Sequence, residues 1–182
     1  MGGVQGEGER LLRHRPIFIL GFMGSGKSTV GPLLARALGR PFVDLDKVIE
    51  EETGKTIEAI FRYEGETRFR EYESLFLKKV GSGEVVVATG GGVVIREENW
   101  KVLEKGVTVA LVASPEELEK RLAGSVGRPL LEGDRDWREL LKDREPLYRR
   151  ASLVVETTGL TPQEVVEAIL KGLEDEGEGS GR

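Results

Sequence analysis

One glycine-rich stretch constrains the fold of this chain more than any other. Residues 21–29 read Gly-Phe-Met-Gly-Ser-Gly-Lys-Ser-Thr, which matches the pattern G-x-x-x-x-G-K-S. The apolar run of residues 16–20 precedes it and has the length of a strand, and a helical pattern follows it and ends at Gly39. A strand, a glycine loop and a helix in this order are the context of a phosphate-binding P-loop.

The residue types in this stretch suit a bound triphosphate. Gly21, Gly24 and Gly26 allow a close approach of the backbone amides to an anion at the N-terminus of a helix, where the helix dipole also favours negative charge. Lys27 can reach the β- and γ-phosphates, and the Ser28 hydroxyl can bind Mg²⁺. The alternative is a glycine turn that matches by chance, and the strand and helix on either side argue against it.

Composition excludes several kinds of catalytic site. The 182 residues, 38% hydrophobic and 32% charged, suit one globular domain. Because the chain has no cysteine and its single histidine is His14, we exclude disulfides, thiolate or histidine metal centres and a Ser-His-Asp triad within the fold. The net charge of −5 argues against general nucleic-acid binding. Carboxylates, Lys, Arg, hydroxyls and a bound ion remain, and phosphoryl transfer needs only these.

The ends of the chain differ in composition from its middle. Residues 1–14 and 174–182 are rich in glycine and charge, which predicts a disordered lead-in and a disordered tail around a single domain of residues 15–173. No apolar run approaches the roughly 20 residues that span a bilayer, and no signal peptide is visible. We therefore expect no membrane contact and a cytoplasmic location.

Strand and helix patterns alternate along the domain. After the first strand, we predict strands at residues 41–44, 84–88, 107–112 and 152–156, and helices between them, one of them at about 135–144. Ser114 and Thr161 each precede Pro and, three positions on, Glu, which is the pattern of a capped helix start. The alternation predicts an α/β fold in three layers, with a five-stranded parallel sheet flanked by helices, as in P-loop kinases.

Two carboxylates end the second predicted strand, at the edge of the sheet where open α/β folds bind ligands. One of Asp44 and Asp46 can bind the Mg²⁺ shell while the other accepts a hydrogen bond from a substrate hydroxyl. The alternative is that Asp46 is an ordinary helix N-cap. Spacing alone does not separate the two interpretations.

Arg70 and a triple glycine are further candidates for a binding site. Arg70 should lie at the edge of a buried helix face, and the alternative is surface ion pairing with Glu66 and Glu73. Gly90, Gly91 and Gly92 follow a buried strand and suggest a backbone wall close to a ligand. The alternative for these glycines is a flexible turn.

Two arginines near the end of the domain could bind anions. Arg128 lies in a glycine-containing loop at about residues 123–134, which could be a mobile lid that brings the cation over a phosphate. The alternative is a solvated arginine. Arg144 precedes Pro146 and could equally be a helix C-terminal cation. Trp100 and Trp137 are expected to pack in the core.

Together these motifs resemble the shikimate kinase family. The resemblance covers roughly residues 16–172, and its most specific part is Arg70-x-x-Glu73 followed at a fixed interval by Ala88-x-Gly-Gly-Gly. The motifs occur in family order: Lys27, Asp44-Leu45-Asp46, Phe69-Arg70, Ala88-Thr89-Gly90-Gly91-Gly92, Arg128-Pro129-Leu130-Leu131 and Arg144-Glu145-Pro146-Leu147-Tyr148.

The resemblance implies an activity and a role for each matched residue. The activity would be ATP- and Mg²⁺-dependent phosphorylation of the 3-hydroxyl of shikimate by a monomer, in aromatic amino-acid biosynthesis, with acceptor-binding helices at about residues 44–80. The catalytic residues would be Lys27, Asp46 and Arg128, and Mg²⁺ would be held by Ser28 and Asp44. Shikimate would contact Asp46, Arg70, Gly90, Gly91, Gly92 and Arg144. ATP would contact Gly24, Ser25, Gly26, Lys27, Ser28, Thr29, Arg121 and Arg128, with the adenine near residues 157–162.

Two other functions stay open on the sequence. A related P-loop kinase could act on gluconate or a nucleoside monophosphate, since gluconate also combines a carboxylate with hydroxyls. A nucleotide-dependent switch would bind ATP without transferring its phosphate. The triple glycine with the paired arginine motifs favours shikimate over the first, and the intact Asp44, Asp46, Lys27 and Arg128 argue against the second.

Overall fold

The computed structural model describes residues 14–123 and 136–179. Its strands are β1 (Ile17–Gly21), β2 (Phe42–Asp44), β3 (Val86–Ala88), β4 (Val107–Val112) and β5 (Leu153–Glu156). Its helices are α1 (Lys27–Leu38), α2 (Leu45–Thr53), α3 (Ile57–Tyr63), α4 (Glu66–Val80), α5 (Glu97–Leu103), α6 (Pro115–Ala123), α7 (Trp137–Tyr148) and α8 (Pro162–Gly179), and a 3₁₀ helix covers Val93–Ile95.

The five strands form one parallel sheet with the order β2-β3-β1-β4-β5. The P-loop strand β1 lies at its centre, where Ile19 pairs with Ala88 of β3 on one side and with Val109 of β4 on the other. All strands share one direction, so their carboxyl ends meet at a single edge, where the P-loop also begins. The predicted parallel sheet is confirmed.

Alternate residues of β1 belong to two separate apolar cores. Phe18 and Leu20 pack in a core with residues of α2, α4, α5 and α7, whereas Ile17 and Ile19 pack in a core with residues of α1 and α8. Because a strand directs successive side chains to opposite faces, helices cover both faces of the sheet. The three-layer prediction is therefore confirmed.

Local capping signals place several helix ends as predicted. α1 ends at Gly39, whose φ of 64° is the left-handed conformation typical of a helix C-terminus. The Ser114 hydroxyl accepts a hydrogen bond from the Glu117 amide at 3.2 Å. At the start of α8 the Glu164 carboxylate accepts from the Thr161 amide at 2.7 Å, and the Glu164 amide donates to the Thr161 hydroxyl at 3.2 Å, which completes a capping box.

The end of α7 differs from the prediction. The helix continues through Pro146 to Tyr148, although proline removes one backbone hydrogen bond. Tyr148 is only 1% exposed, and its packing in the larger core stabilises the last turn. The interpretation of Arg144 as a C-terminal cation is therefore wrong, since this residue lies inside the helix and is buried.

The last helix also runs further than predicted. α8 extends to Gly179, six residues beyond residue 173, where the sequence analysis ended the domain. Within α8, Gly172 packs against Leu153, the first residue of β5, so the helix returns to the edge of the sheet where the strands begin. Within residues 14–123 and 136–179 no helix combines the length and the apolar character that crossing a membrane requires.

Candidate active site

A cleft of about 940 Å³ opens at the carboxyl edge of the sheet. It extends from the P-loop past the ends of β2 and β3 to the segment that follows β5. Residues from α2, α4, α6 and α7 line it together with the loops. The cleft therefore brings together residues that are far apart along the chain, such as Lys27 and Thr157, which are separated by 130 positions.

The P-loop has the backbone that its glycines predict. Gly24 and Gly26 have φ angles of 78° and 101°, in the left-handed region that favours glycine. A Cβ on Gly21 would come within 2.5 Å of the Ser25 hydroxyl and 2.6 Å of the Leu111 carbonyl oxygen. These contacts exclude a side chain at position 21, so glycine is required at the end of β1, between the Ser25 hydroxyl and the backbone of β4.

The polar groups of the P-loop are arranged at the start of α1. Lys27 Nζ donates to the carbonyl oxygens of Gly21 and Phe22 at 2.6 and 3.0 Å, which holds the ammonium group over the loop. Ser28 and Thr29, in the first turn of α1, are exposed on the cleft. The predicted phosphate-site residues of this loop therefore lie on one side of the cleft, at a helix N-terminus.

The two aspartates after β2 have different environments. Asp44, and not Asp46, is the N-cap of α2, because its Oδ1 accepts from the amides of Asp46 and Lys47 at 3.0 and 3.4 Å. The alternative interpretation of Asp46 as the cap is wrong. Asp46 instead extends toward Gly90, where a Cβ would lie 3.2 Å from its Oδ1.

Ser28 and Asp44 suit the hard-oxygen chemistry of Mg²⁺. Both line the same cleft as Lys27, and a carboxylate that caps a helix through one oxygen keeps a second oxygen for a ligand. One hydroxyl and one carboxylate are a typical protein contribution for an ion that also binds phosphates and water. The described residues contain no cluster of three or more Asp, Glu, His or Cys that could hold a metal by itself.

Arg70 is buried rather than placed at a surface edge. It is only 6% exposed, and its Nη1 donates to Glu73 Oε1 at 2.9 Å, while Glu66 Oε1 lies 3.5 Å from its Nε. The alternative of surface ion pairing is correct about the partners, Glu66 and Glu73, but wrong about the location, because Arg70 is buried. We call Asp46, Arg70, Glu73 and Arg144 the charged cluster, since all four line the cleft.

Glu73 is a residue of this site to which the sequence assigned no role beyond its place in the Arg70-x-x-Glu73 motif and possible pairing with Arg70. Its side chain is fully buried. Burial raises the pKa of the Glu73 carboxyl, opposed by the neighbouring Arg70 and reinforced by the nearby Asp46. The signal that could have identified it is its position three residues after Arg70, which places both on one face of α4.

The three glycines form a side-chain-free wall against the charged cluster. A Cβ on Gly90 would come within 2.9 Å of Glu73 Oε2, and a Cβ on Gly92 would overlap the guanidinium group of Arg70. Gly91 lies against Tyr148, whose hydroxyl donates to the Gly91 carbonyl oxygen at 2.6 Å. The glycines therefore allow the charged side chains to approach the backbone, which favours a wall over a flexible turn.

Apolar side chains complete this half of the cleft. Ile57, Phe61 and Phe69 line it, and the rings of Phe61 and Phe69 lie 4.6 Å apart. Of these three residues only Phe69 is part of a motif recognised in the sequence, as the neighbour of Arg70. A small ring with hydroxyls and a carboxylate matches such a mixed surface, because one side is apolar and the other is charged.

Arg121 lies at the other end of the cleft, beside the P-loop. Its Nη1 lies 3.3 and 3.4 Å from the carbonyl oxygens of Gly24 and Ser25, and its Nη2 donates to the Thr157 carbonyl oxygen at 3.1 Å. Leu160 also lines this end. The predicted nucleotide-contact arginine is thus in the cleft and faces the segment after β5.

Three further predicted residues have separate outcomes. Arg128 and most of the predicted lid lie outside the described residues. Trp100 is buried and its indole N–H donates to the Val94 carbonyl oxygen at 2.9 Å. Trp137 contacts the Phe22 ring, with centroids 6.4 Å apart. Both tryptophans are packing residues, as predicted.

Comparison with known proteins agrees with this geometry. The sequence model named shikimate kinase matches residues 23–174. A shikimate kinase of Thermodesulfovibrio yellowstonii is 47% identical over 163 residues, which are 87% of this chain and 94% of the relative.

Solved structures give the same result for the fold. A shikimate kinase of Acinetobacter baumannii, solved in complex with shikimate, superposes with a TM-score of 0.82 at 37% identity and covers 90% of this chain and 95% of its own. A gluconokinase of Sinorhizobium meliloti superposes with a TM-score of 0.59 at 22% identity, over 91% of this chain and 95% of its own, and at that identity it shows only a shared fold. The chain belongs to the shikimate kinase family.

Proposed function

We propose that this protein transfers the γ-phosphoryl group of ATP to the 3-hydroxyl of shikimate, giving shikimate 3-phosphate and ADP in aromatic amino-acid biosynthesis. The observation that carries the proposal is the position of the charged cluster beside a P-loop in one cleft. A buried pair of arginines with two carboxylates is suited to an acid that carries hydroxyls. Membership of the shikimate kinase family agrees with this choice of acceptor.

In this proposal the charged cluster binds and orients the acceptor. Arg70 and Arg144 bind the shikimate carboxylate, and the backbone of Gly90, Gly91 and Gly92 lies along the ring. Asp46 accepts a hydrogen bond from the 3-hydroxyl and takes its proton as the phosphorus–oxygen bond forms. The half-buried position of Asp46 beside Gly90 supports this role.

The nucleotide occupies the P-loop half of the cleft. The amides of Gly24, Ser25 and Gly26 and the side chains of Lys27, Ser28 and Thr29 contact the phosphates, and Arg121 lies beside the base. Lys27 stabilises the charge on the transferring group. Arg128, which lies outside the described residues, supplies a second cation.

Ser28 and Asp44 would hold Mg²⁺ against the phosphates. The ion would neutralise phosphate charge and fix the position of the β- and γ-phosphates. The protein's own contribution there is the pair of oxygen ligands, which α1 and the N-cap of α2 hold in position. We further propose that the protein acts as a monomer in the cytoplasm, without nucleic-acid or membrane partners.

An ADP-release assay tests the proposed function. ATP and Mg²⁺ are supplied with shikimate, gluconate, AMP or no acceptor, and we expect release only with shikimate. Release with gluconate or AMP would assign the protein to another acceptor. ATP binding with no acceptor-dependent release would favour a nucleotide-dependent switch.

An Asp46→Asn variant is the matched control for this assay. Asn has the shape of Asp but cannot take the hydroxyl proton. We expect ATP affinity by calorimetry to stay within about twofold, because Asp46 is not a phosphate ligand, and ADP release to fall by about 10²-fold or more. Unchanged turnover would contradict the role given to Asp46.

A further inference from the structure

A buried threonine lies between the base end of the cleft and the core of the sheet. Thr157 directly follows β5 and is only 1% exposed. Its hydroxyl donates to the Val112 carbonyl oxygen at 3.1 Å and accepts from Arg121 Nη1 at 3.2 Å. Its carbonyl oxygen accepts from Arg121 Nη2 at 3.1 Å. One residue therefore contacts both terminal nitrogens of the arginine.

These contacts fix the plane of the Arg121 guanidinium group. The two bonds to Thr157 are shorter than those to Gly24 and Ser25, at 3.3 and 3.4 Å, and Glu117 accepts from Nε at 3.1 Å. All guanidinium N–H groups lie in the plane of the group, so these acceptors lie around its edge. A flat ring can then stack on a face of the group.

Thr157 is itself held firmly. Its amide donates to the Val112 carbonyl oxygen at 2.8 Å, and its carbonyl oxygen also accepts from the Leu160 amide at 3.1 Å. Gly159 supplies the left-handed residue of this turn, with a φ of 75°. The position of the threonine is thus set by the end of β4 and by a closed turn.

We propose that Thr157 is a positioning residue for nucleotide recognition, orienting the Arg121 guanidinium plane against the base of the bound nucleoside triphosphate. The inference rests on the proposed function, since it assumes that the nucleotide base lies at this end of the cleft. It adds to that function because it gives Thr157, which does not touch the phosphates, a role in selectivity for the base. Thr157 acts through Arg121, so its removal should matter most for a large purine ring.

The test is Thr157→Val, which removes the hydroxyl and keeps the shape of the side chain. Val112 keeps its bond from the residue-157 amide, so no buried carbonyl loses its last partner. We expect the KM for ATP to rise about fivefold to tenfold, the size of one lost hydrogen bond. The kcat and the KM for shikimate should change less than about twofold, and the preference for ATP over UTP should fall with the ATP affinity.

Two further variants separate positioning from stability. Thr157→Ser keeps the hydroxyl and should restore the KM for ATP. Thr108→Val removes another buried threonine hydroxyl, which accepts from the Ser152 amide at 2.9 Å at the opposite end of β4, and should leave the ATP-over-UTP preference unchanged. Thermal unfolding of each variant measures the loss of stability separately.

Three results would overturn the proposal: an unchanged KM for ATP in Thr157→Val, equal losses for ATP and UTP, or failure of Thr157→Ser to restore binding. Calorimetric affinities for ATP and UTP give the same comparison without turnover. If the wild-type protein releases no ADP with shikimate, the proposed function fails, and these affinities still decide the role of Thr157.

Discussion

At the residue scale, the geometry of the charged cluster depends on glycines, because a single added Cβ atom would displace its side chains. Arg70 and Glu73 lie on one face of α4, buried against glycines that have no side chain to displace them. Burying the charge of an arginine costs desolvation free energy unless the charge is paired and hydrogen-bonded. The ion pair with Glu73 stabilises the buried cation before any acceptor arrives.

We expect Arg70→Ala to weaken shikimate binding by about tenfold or more, while ATP affinity changes less than about twofold, because of the two ligands only the acceptor would contact the lost guanidinium group. Calorimetry with each ligand measures both. Arg68→Ala, which removes an exposed arginine paired with Glu71 at 2.7 Å on the same helix, is the control. Equal losses for both ligands would exclude the role given to Arg70.

Truncation of Arg70 also leaves Glu73 buried without its ion pair, so Arg70→Lys is the companion variant. Lysine keeps the positive charge but not the planar pair of donors. We expect it to recover stability more fully than it recovers shikimate binding. Full recovery of both would mean that charge alone, and not bidentate geometry, matters at this position.

Gly92→Ala tests the glycine wall. A Cβ at position 92 would overlap the guanidinium group of Arg70, whereas the nearest atom to a Cβ at position 91 lies at 3.6 Å, an ordinary contact. We expect Gly92→Ala to lower the free energy of unfolding by about 1–3 kcal/mol, and Gly91→Ala to lower it by clearly less. Urea unfolding measures the loss of unfolding free energy in both variants. Equal losses would mean that Arg70 moves away from the Cβ at position 92 without cost.

At the scale of helices and strands, the features that the sequence predicts are those set by neighbouring residues. The cap at Ser114 and the capping box at Thr161 depend on residues three positions apart, and the P-loop on nine consecutive residues, and each was found. The burial of Glu73 and Arg144 depends on contacts between distant segments, which a single helix pattern does not contain. For the same reason the packing of Tyr148 overrides the local effect of Pro146 on the end of α7.

Asp44 combines a helix cap with a proposed metal ligand, and two variants separate these roles. Asp44→Asn keeps an oxygen that can cap α2, so we expect stability to change by only a few tenths of a kcal/mol. Asp44→Ala removes the cap and should cost about 1 kcal/mol. Urea unfolding without nucleotide measures both effects.

Both Asp44 variants should need more Mg²⁺ for half-maximal ADP release, since both lose the carboxylate charge. A magnesium titration at saturating ATP and shikimate measures this requirement. If Asp44→Asn behaves like the wild-type protein in that titration, Asp44 is a cap and not a metal ligand.

At the scale of the whole molecule, the charged cluster makes stability depend on pH. Burial raises the folded-state pKa of Glu73 above its ordinary value of 4.5. Its contribution to stability is therefore fully present below about pH 4.5 and is lost as the pH rises through the folded-state pKa. Arg70 and Arg144 oppose this shift and Asp46 reinforces it.

Glu73→Gln removes this titration. We expect the unfolding free energy of the variant, relative to the wild-type protein, to rise with pH from about 4.5 and then to become constant above the folded-state pKa of Glu73. Urea unfolding between about pH 4 and 8 measures the difference, and Glu71→Gln controls for the loss of one exposed carboxylate on α4. If this difference in unfolding free energy fell as the pH rises, the effect of Arg70 on the pKa of Glu73 would outweigh the effect of burial.

The common direction of the five strands has a practical consequence for handling the protein. The cleft opens at the edge where the strands end, whereas residue 14 precedes β1 at the opposite edge, and α8 returns to that edge where Gly172 packs against Leu153. A solid support attached beside residue 14 would hold the molecule with its cleft facing the bulk liquid. Immobilisation for surface-based binding measurements is therefore best made from that side.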